Sequence, residues 1–262
     1  MIDELEQYFC ASSDGIYEVV YDPNISESEP PSYPWVVTFA VKLLNPCEGL
    51  AKGEEEETLK TIADAFEKFA LTKRPLLQRL LGLFTSPPSL RLVGYHTGAG
   101  QRTYYFYCPR KLIFKYAVRK LTFVFPKHIF GLAVIHDPEW KCYRVSLHPG
   151  IMAQKHLLLN HAAFEMNEKA GDQLHVPRVV DHFILFSNRK DREAFAKAMK
   201  EDGIAMTFSD RDANGKFPLT LSKKHSLDRM WSDIYVFGLC KTAEKHHGEY
   251  DGSGSWEVRS KS

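Results

Sequence analysis

GDQLHVPRVVDHFILF, Gly171 to Phe186, decides the fold. Pro177 lacks an N–H and has a fixed φ, so it closes what precedes it. Val179, Val180, Phe183, Ile184, Leu185 and Phe186 then form a near-continuous apolar run, long enough for one buried strand and interrupted by Asp181-His182. From here to its end the chain reads strand–helix–strand–strand–helix–strand. Asn188 suits a helix cap with Asp191 at the third position. Ala194, Phe195, Ala198 and Met199 face inward, and Gly203 ends that helix. Ile204–Phe208 is the second strand, Asp212-Ala213-Asn214-Gly215 a turn, and Phe217–Leu221 the third strand. Ser226 is expected to cap a helix with Leu227, Met230, Trp231, Ile234, Phe237 and Ala243 inward, stopped by Gly248. Trp256–Val258 is expected in the fourth strand. Right-handed crossovers turn this order into a four-stranded antiparallel sheet with two helices on one face, the ferredoxin-like split βαβ.

Upstream, the chain is built on similar lines. Residues 16–22 read as a strand, Asn24–Pro34 as an exposed loop, and Trp35–Leu44 as a central strand rich in β-branched and aromatic residues. Glu54–Glu57 open a helix, where four acids favour the positive end of its dipole. Leu59, Ile62, Ala63, Phe66, Phe69 and Ala70 give it one apolar face. Pro75 starts a new turn or kinks the helix, and Leu76, Leu77, Leu80, Leu81 and Leu83 make a second stripe, read as core. Ser89–His96 and Gln101–Cys108 are strands around the glycine-bearing loop Thr97–Gly100. Arg110–Lys120 reads as a helix with Leu112, Ile113, Tyr116, Ala117 and Leu121 inward. Phe123–Ile135 returns as one or two strands, and Tyr143–Leu147 as a further one. Residues 151–170 read as a helix with Met152, His156, Leu159, Ala163 and Met166 along one side, capped by Gly171. The expected architecture is α+β with two domains. Residues 1–150 form an antiparallel sheet with helices on one face, 151–178 a connecting helix and linker, and 179–262 the ferredoxin-like domain.

A chain of 262 residues with 44% hydrophobic and 26% charged residues can bury a core in each of two modest domains. The acidic start, Met1-Ile2-Asp3-Glu4, has no apolar segment of signal-peptide type, and no run is long enough to span a membrane. The cysteines, Cys10, Cys47, Cys108, Cys142 and Cys240, are odd in number and lack C-x-x-C spacing. That pattern fits reduced thiols in a cytoplasm. Net charge is +1 but uneven: residues 1–67 hold fifteen Asp or Glu and three Lys or Arg, whereas 68–136 hold twelve Lys or Arg and no acid. Mutual neutralisation within one domain is the expected reading, and a nucleic-acid face on 68–136 the alternative.

Few side chains are arranged for chemistry. His136-Asp137 has no companion ligand set, so it reads as a strand-end turn, and no metal or cofactor is expected. Asp181-His182 resembles an acid–base pair, but neighbours along a strand point to opposite faces. No Ser or Cys sits in a nucleophile-elbow pattern, and the chain is read as a non-enzyme. Tyr250-Asp251-Gly252-Ser253-Gly254 enters an edge strand, where another chain can dock. Tyr250, Asp251, Gly252, Trp256 and Asn188 are the partner-binding candidates. The start of that strand is expected beside Ser187-Asn188, away from Asp181-His182.

Ala243-Glu244-Lys245 followed by Glu249-Tyr250-Asp251-Gly252 resembles RraB, the bacterial regulators of ribonuclease E activity. Ser253 stands where that motif continues with tryptophan, and Trp256 lies nearby. The first two-thirds resembles the bacterial family of unknown function DUF695. The matching residues are Tyr104–Tyr107, Asp137-Pro138-Glu139-Trp140, Tyr143, Leu147, Pro149, Asn160, Gly171-Asp172 and Pro177–His182. Of these, Asp137, Trp140, Asp181 and His182 are motif residues without an assigned role. The RraB resemblance implies a single ferredoxin-like domain and a cytoplasmic, non-catalytic regulator of a protein partner, a ribonuclease. An immunity-type protein that neutralises a toxin is the alternative of the same physical kind. Direct RNA binding through residues 68–136 is the third.

Overall fold

The structure, a computed structural model, describes residues 5–25, 32–72, 89–111, 114–200 and 203–258. The chain divides into two compact units, one of Met1–Gln7 and Ala11–His148, the other of Pro149–Ser262 with Tyr8–Cys10. Leu76–Leu83, Leu112 and Ile113 lie outside the described residues.

In the first unit the order is β1 (Glu6–Ser12), β2 (Gly15–Tyr21), β3 (Trp35–Lys42), α1 (Glu54–Thr72), β4 (Arg91–Gly98), β5 (Gln101–Cys108), α2 (Lys115–Val124), β6 (Phe130–His136) and α3 (Lys141–Ser146). The strands form one antiparallel sheet in the order β1-β2-β4-β5-β3-β6. Its last four members, taken with α1 and α2, have the split βαβ topology, and β1 and β2 extend it. The α1 stripe works as read from the sequence: Leu59, Ile62 and Phe66 are buried, with the Phe66 ring stacked 4.2 Å from Phe39 of β3. Tyr104, Phe106 and Cys108 of β5 join this core, while Thr103, Tyr105 and Tyr107 point to the other face and are buried as well. The strand is therefore covered on both sides. Ala99 and Gly100, at φ 49° and 74°, close the β4–β5 hairpin in the conformation that matches strand twist.

In the second unit the order is α4 (Ile151–Lys169), β7 (Arg178–Phe186), α5 (Arg189–Ala198), β8 (Ile204–Phe208), β9 (Phe217–His225), α6 (Arg229–Lys245) and β10 (Gly248–Ser255). The antiparallel sheet order β10-β7-β9-β8 is the ferredoxin-like one. Asn188 caps α5 by accepting from the Asp191 N–H at 2.9 Å. Gly171, at φ 87°, follows the end of α4. Along β7 burial alternates: Arg178, Val180, His182, Ile184 and Phe186 are buried, while Val179 and Phe183 are exposed and Asp181 and Leu185 half-buried. One face of this sheet is thus open.

Several local expectations are corrected. Tyr143–Leu147 is no strand, because its residues lie in and just after α3. Buried Tyr143 and Leu147 fit either period, but strand alternation would also bury Val145, which is 84% exposed. The helix is instead set by Asp137, whose carboxylate accepts from the N–H groups of Lys141 and Cys142, both at 2.8 Å. The second helix of the first unit starts at Lys115 rather than Arg110, and runs through Phe123 to Val124. The strand Glu6–Ser12 went unread, although Asp14-Gly15 is a hairpin-turn signal ahead of β2. The cap of α6 is Asp228, which accepts from Trp231 N–H at 3.1 Å; Ser226 instead donates to Asp228. The inward faces of α4 and α6 are as expected at His156 and Ala243, which are buried, and shifted elsewhere. Ala153, His156 and Leu157 are buried on α4, whereas Leu159 and Met166 are exposed. Asp233, Val236, Leu239 and Cys240 are buried on α6, whereas Trp231 is exposed. Both helices are apolar on more than one side, so the 3.6-residue period alone does not choose the face.

Candidate functional site

His182 occupies the middle of β7 on its buried side. Its partners come from two further elements, Tyr250 of β10 and His225 at the end of β9, and Tyr250 is met in turn by His156 of α4. Tyr250 Oη lies 2.9 Å from His182 Nδ1, and His182 Nε2 lies 3.2 Å from His225 Nε2. His225 Nδ1 lies 2.7 Å from the Ser226 carbonyl oxygen, and Tyr235 of α6 stacks on the His225 ring at 4.4 Å. The His156 ring meets Tyr250 edge-on at 4.9 Å. The geometry fixes the protons. A carbonyl only accepts, so His225 Nδ1 carries hydrogen and, in a neutral ring, its Nε2 accepts. His182 Nε2 then donates, its Nδ1 accepts, and Tyr250 donates to it. The result is a directed chain of satisfied hydrogen bonds through two neutral imidazoles.

Burial, then the neighbouring His225, pushes His182 down to about 3. Burial also lowers His225, with Lys223 acting the same way and the Ser226 carbonyl and Asp228 opposing. Burial and then Lys155 lower His156. A histidine whose folded pKa is depressed binds its proton more readily when unfolded. The second unit should therefore be most stable above the ordinary histidine range and lose stability as pH falls below about 6.5, with His182 contributing a slope of about 1.4 kcal/mol per pH unit until it titrates near 3, and His225 and His156 acting in the same direction. Hydrogen exchange of β7 and β10 between pH 7 and 4.5 checks this. Proton resonances of the His182 ring should stay flat over that interval, and a midpoint near 6.5 would contradict the neutral chain.

Asp181 points the other way, as strand alternation requires. Its Oδ1 accepts from Ser222 Oγ, 2.5 Å away across the strand pair. Asp181 and His182 therefore do not form a dyad.

The remaining candidate residues are dispersed. Tyr250 is buried and acts from within the unit. Asp251 is the bulged residue between the pairs Tyr250↔Ile184 and Gly252↔Phe183, and Gly252 takes φ 109°. Ser253 and Gly254 lie opposite His182 and Asp181. The start of β10 lies where expected, with Gly248 opposite Phe186 and next to Ser187-Asn188, but the motif runs on alongside Asp181-His182 because the strand begins two residues before Tyr250. Trp256 stands just past the strand rather than in it, and is 90% exposed. Asn188 lies beyond Phe186, whereas Trp256 follows the residue paired with Val180. Six strand steps separate those two ends of β7, roughly 20 Å. By register Trp256 falls level with Val179 on the exposed side of β7, on which Phe183 also stands four residues further along.

In the first unit, Asp137 accepts from Tyr107 Oη at 2.6 Å besides the two α3 N–H groups, and Trp140 stacks on Tyr107 at 4.0 Å. Burial would raise the Asp137 carboxyl, but the Tyr107 hydroxyl and the α3 N–H groups outweigh it and hold it below its ordinary value. Asp137 and Trp140 thus fasten α3 to the sheet. Among the described residues no group of three or more His, Cys, Asp or Glu side chains is placed to hold a metal ion. The basic segment is partly committed to the acidic one: Arg102 binds Glu18 and Glu56, and Arg91 binds Asp22. Lys111, Lys115, Arg119, Lys120 and Lys127 are exposed. No described helix is long and apolar enough to cross a membrane.

Among the buried polar centres that sequence reasoning missed, two are built on arginine. One is Arg102 with its two glutamates. The other is Arg178, which donates to Asp172 at 2.7 and 2.8 Å. In both, the partners are brought together by strand pairing or a loop closure that residue spacing does not reveal.

Comparison with known proteins gives two family matches. Residues 8–148 match the family of unknown function (DUF695), and residues 159–258 match RraB, regulator of ribonuclease activity B. No curated protein matches the chain. Among solved structures, an unknown protein from Galdieria sulphuraria is similar at 8% identity and a TM-score of 0.21, over 83% of this chain and 95% of that one.

Proposed function

We propose, for a chain that belongs to the DUF695 family through residues 8–148 and carries an RraB-type region at 159–258, the role of a non-catalytic, cytoplasmic protein-binding regulator. The observation that carries this reading is the RraB match together with the open face of the sheet in that same region. Val179 and Phe183 stand on that face, 57% and 39% exposed, with Trp256 close to their end of the strand. Exposed aromatics of this kind contribute strongly to protein interfaces, and tryptophan most often among them. Asp251 and Gly252 flank them on the bulged edge strand, while buried Tyr250 holds that strand to His182. The histidine chain is a support, since both rings are neutral and hydrogen-bonded within the unit.

The partner class favoured by the family match is a ribonuclease. The test is the cleavage rate of ribonuclease E with and without the full chain. Wild type should slow cleavage, and the double variant Phe183→Asp, Trp256→Ala should lose at least tenfold in potency, corresponding to about 1.4 kcal/mol or more of binding. Trp256 is 90% exposed but Phe183 only 39% on a strand paired on both sides, so the comparison is made at a temperature where circular dichroism shows both chains folded. Equal potency of wild type and variant would remove this face from the account, and no effect of either would remove the ribonuclease. A toxin in place of the ribonuclease would use the same face.

A further inference from the structure

We propose that the outer edge of β6 pairs with β6 of a second copy of this chain, joining two first units through one continuous sheet. Four strands end the two sheets, β1, β6, β8 and β10. Sheet edges are normally guarded by charge, brevity, proline or a bulge. β1 carries Glu6, β8 has five residues, and β10 carries Glu249 and Asp251 with a bulge between Tyr250 and Gly252. β6, Phe-Gly-Leu-Ala-Val-Ile-His, has none of these guards, and among the described residues only β3 pairs with it. Ile129, Leu132 and Ile135 are 64%, 36% and 44% exposed along it.

The backbone determines the partner strand's register. Lys42 N–H donates to the Ile129 carbonyl and Asp137 N–H to the Pro34 carbonyl, so the odd-numbered residues of β6 turn their polar groups toward β3. Phe130, Leu132, Val134 and His136 therefore turn theirs outward. Antiparallel pairing of two β6 strands over their full length is centred on Ala133. It sets Phe130 against His136 and Leu132 against Val134, both as hydrogen-bonded pairs, so every outward N–H and C=O finds a partner. The core-facing side chains of one strand continue into those of the other. Ala133 meets its own copy at the axis, in the close, non-hydrogen-bonded kind of pair that favours a small side chain. Self-complementary hydrogen bonding along the whole edge, with alanine at the axis, thus favours a second copy as the occupant. Edge pairing buries less than the standard interface of about 800 Å² per partner, so the dimer is weak and concentration-dependent.

The test is sedimentation velocity on the full chain across a series from micromolar to millimolar. The mass should rise toward that of a dimer. Ala133→Lys and Ala133→Asp, at an exposed position, should each abolish the rise by placing like charges together at the axis, and an equimolar mixture of the two should restore it. Ala133→Cys gives an independent measurement: mild oxidation should yield a covalent dimer absent from wild type, because the close pair has Cα atoms about 4.5 Å apart, within disulfide range. A wild type that stays monomeric throughout, or a dimer indifferent to both charges, or no covalent dimer from the cysteine variant, would overturn the proposal.

Discussion

Replacing Arg178 by methionine is expected to destabilise the second unit by about 3–5 kcal/mol. The guanidinium is 6% exposed and the Asp172 carboxylate 3%. Arg178 also donates to the carbonyls of Gln173, Val176 and Trp256, while Asp172 accepts from the Val258 N–H at 2.9 Å. This one pair therefore fastens the entry to β7 against the exit from β10. Methionine fills much of the same space but leaves a buried carboxylate without its cation, which is where the cost arises. Hydrogen exchange of peptides from β7 and β10 in the full chain measures it. Substituting both partners, Arg178→Met with Asp172→Asn, should recover a large part of the loss, since no charge is then left uncompensated. A loss under about 1 kcal/mol from Arg178→Met would show that water reaches the carboxylate and that the clamp is not one.

Arg102→Ala should have the second largest effect, about 3 kcal/mol in the first unit. Arg102 is 1% exposed, with Glu56 at 2.6 Å, Glu18 at 3.0 Å and Thr97 Oγ1 at 2.6 Å. The ring of Tyr95 lies 4.1 Å from the guanidinium carbon. Removing the cation leaves two carboxylates facing each other. Glu56 keeps some contact with water, which places the cost at the lower end of the range for broken buried pairs. Burial already raises the Glu18 carboxyl, with Arg102 opposing and Glu56 adding to it. Without Arg102 it should rise further. A carboxyl whose folded pKa is raised destabilises the fold as pH climbs through its titration, so the deficit of the variant should shrink toward acid pH. Arg102→Lys should fall between wild type and alanine, because an ammonium cannot reach both glutamates as the planar fork does. Peptide-resolved hydrogen exchange of β2 and β5 at two pH values reads both effects. A deficit independent of pH would point to lost packing rather than exposed charge.

The strand–helix–strand–strand–helix–strand rhythm was legible in both halves because each strand carries its own hydrophobic signature and each turn its own residue chemistry. The Asn188 cap, the Gly171 stop and the opposition of Asp181 to His182 followed from rules that act within a few residues. What could not be read is what depends on register. Nothing local joins His182 to Tyr250 and His225, 68 and 43 positions away. Their meeting requires knowing that Ser253 lies opposite His182 and that Leu221 does so on the other side. The same holds for Arg102 with Glu18 and Glu56. The short segment Tyr143–Leu147 failed for a different reason: five residues with two buried side chains satisfy both periods, and Asp137, outside the segment, decides between them. Charge balance lay between these cases. The excess of acid before residue 68 and of base after it was visible, and strand pairing commits Arg91 and Arg102 to that acid.

The most direct measurement of the central claim is quantitative capture by the full chain from a lysate with and without nuclease treatment, comparing wild type with the Phe183→Asp, Trp256→Ala variant. The account predicts a protein retained by wild type, lost by the folded variant, and indifferent to the nuclease. Identical capture by both chains, or material that disappears on nuclease treatment, would contradict it.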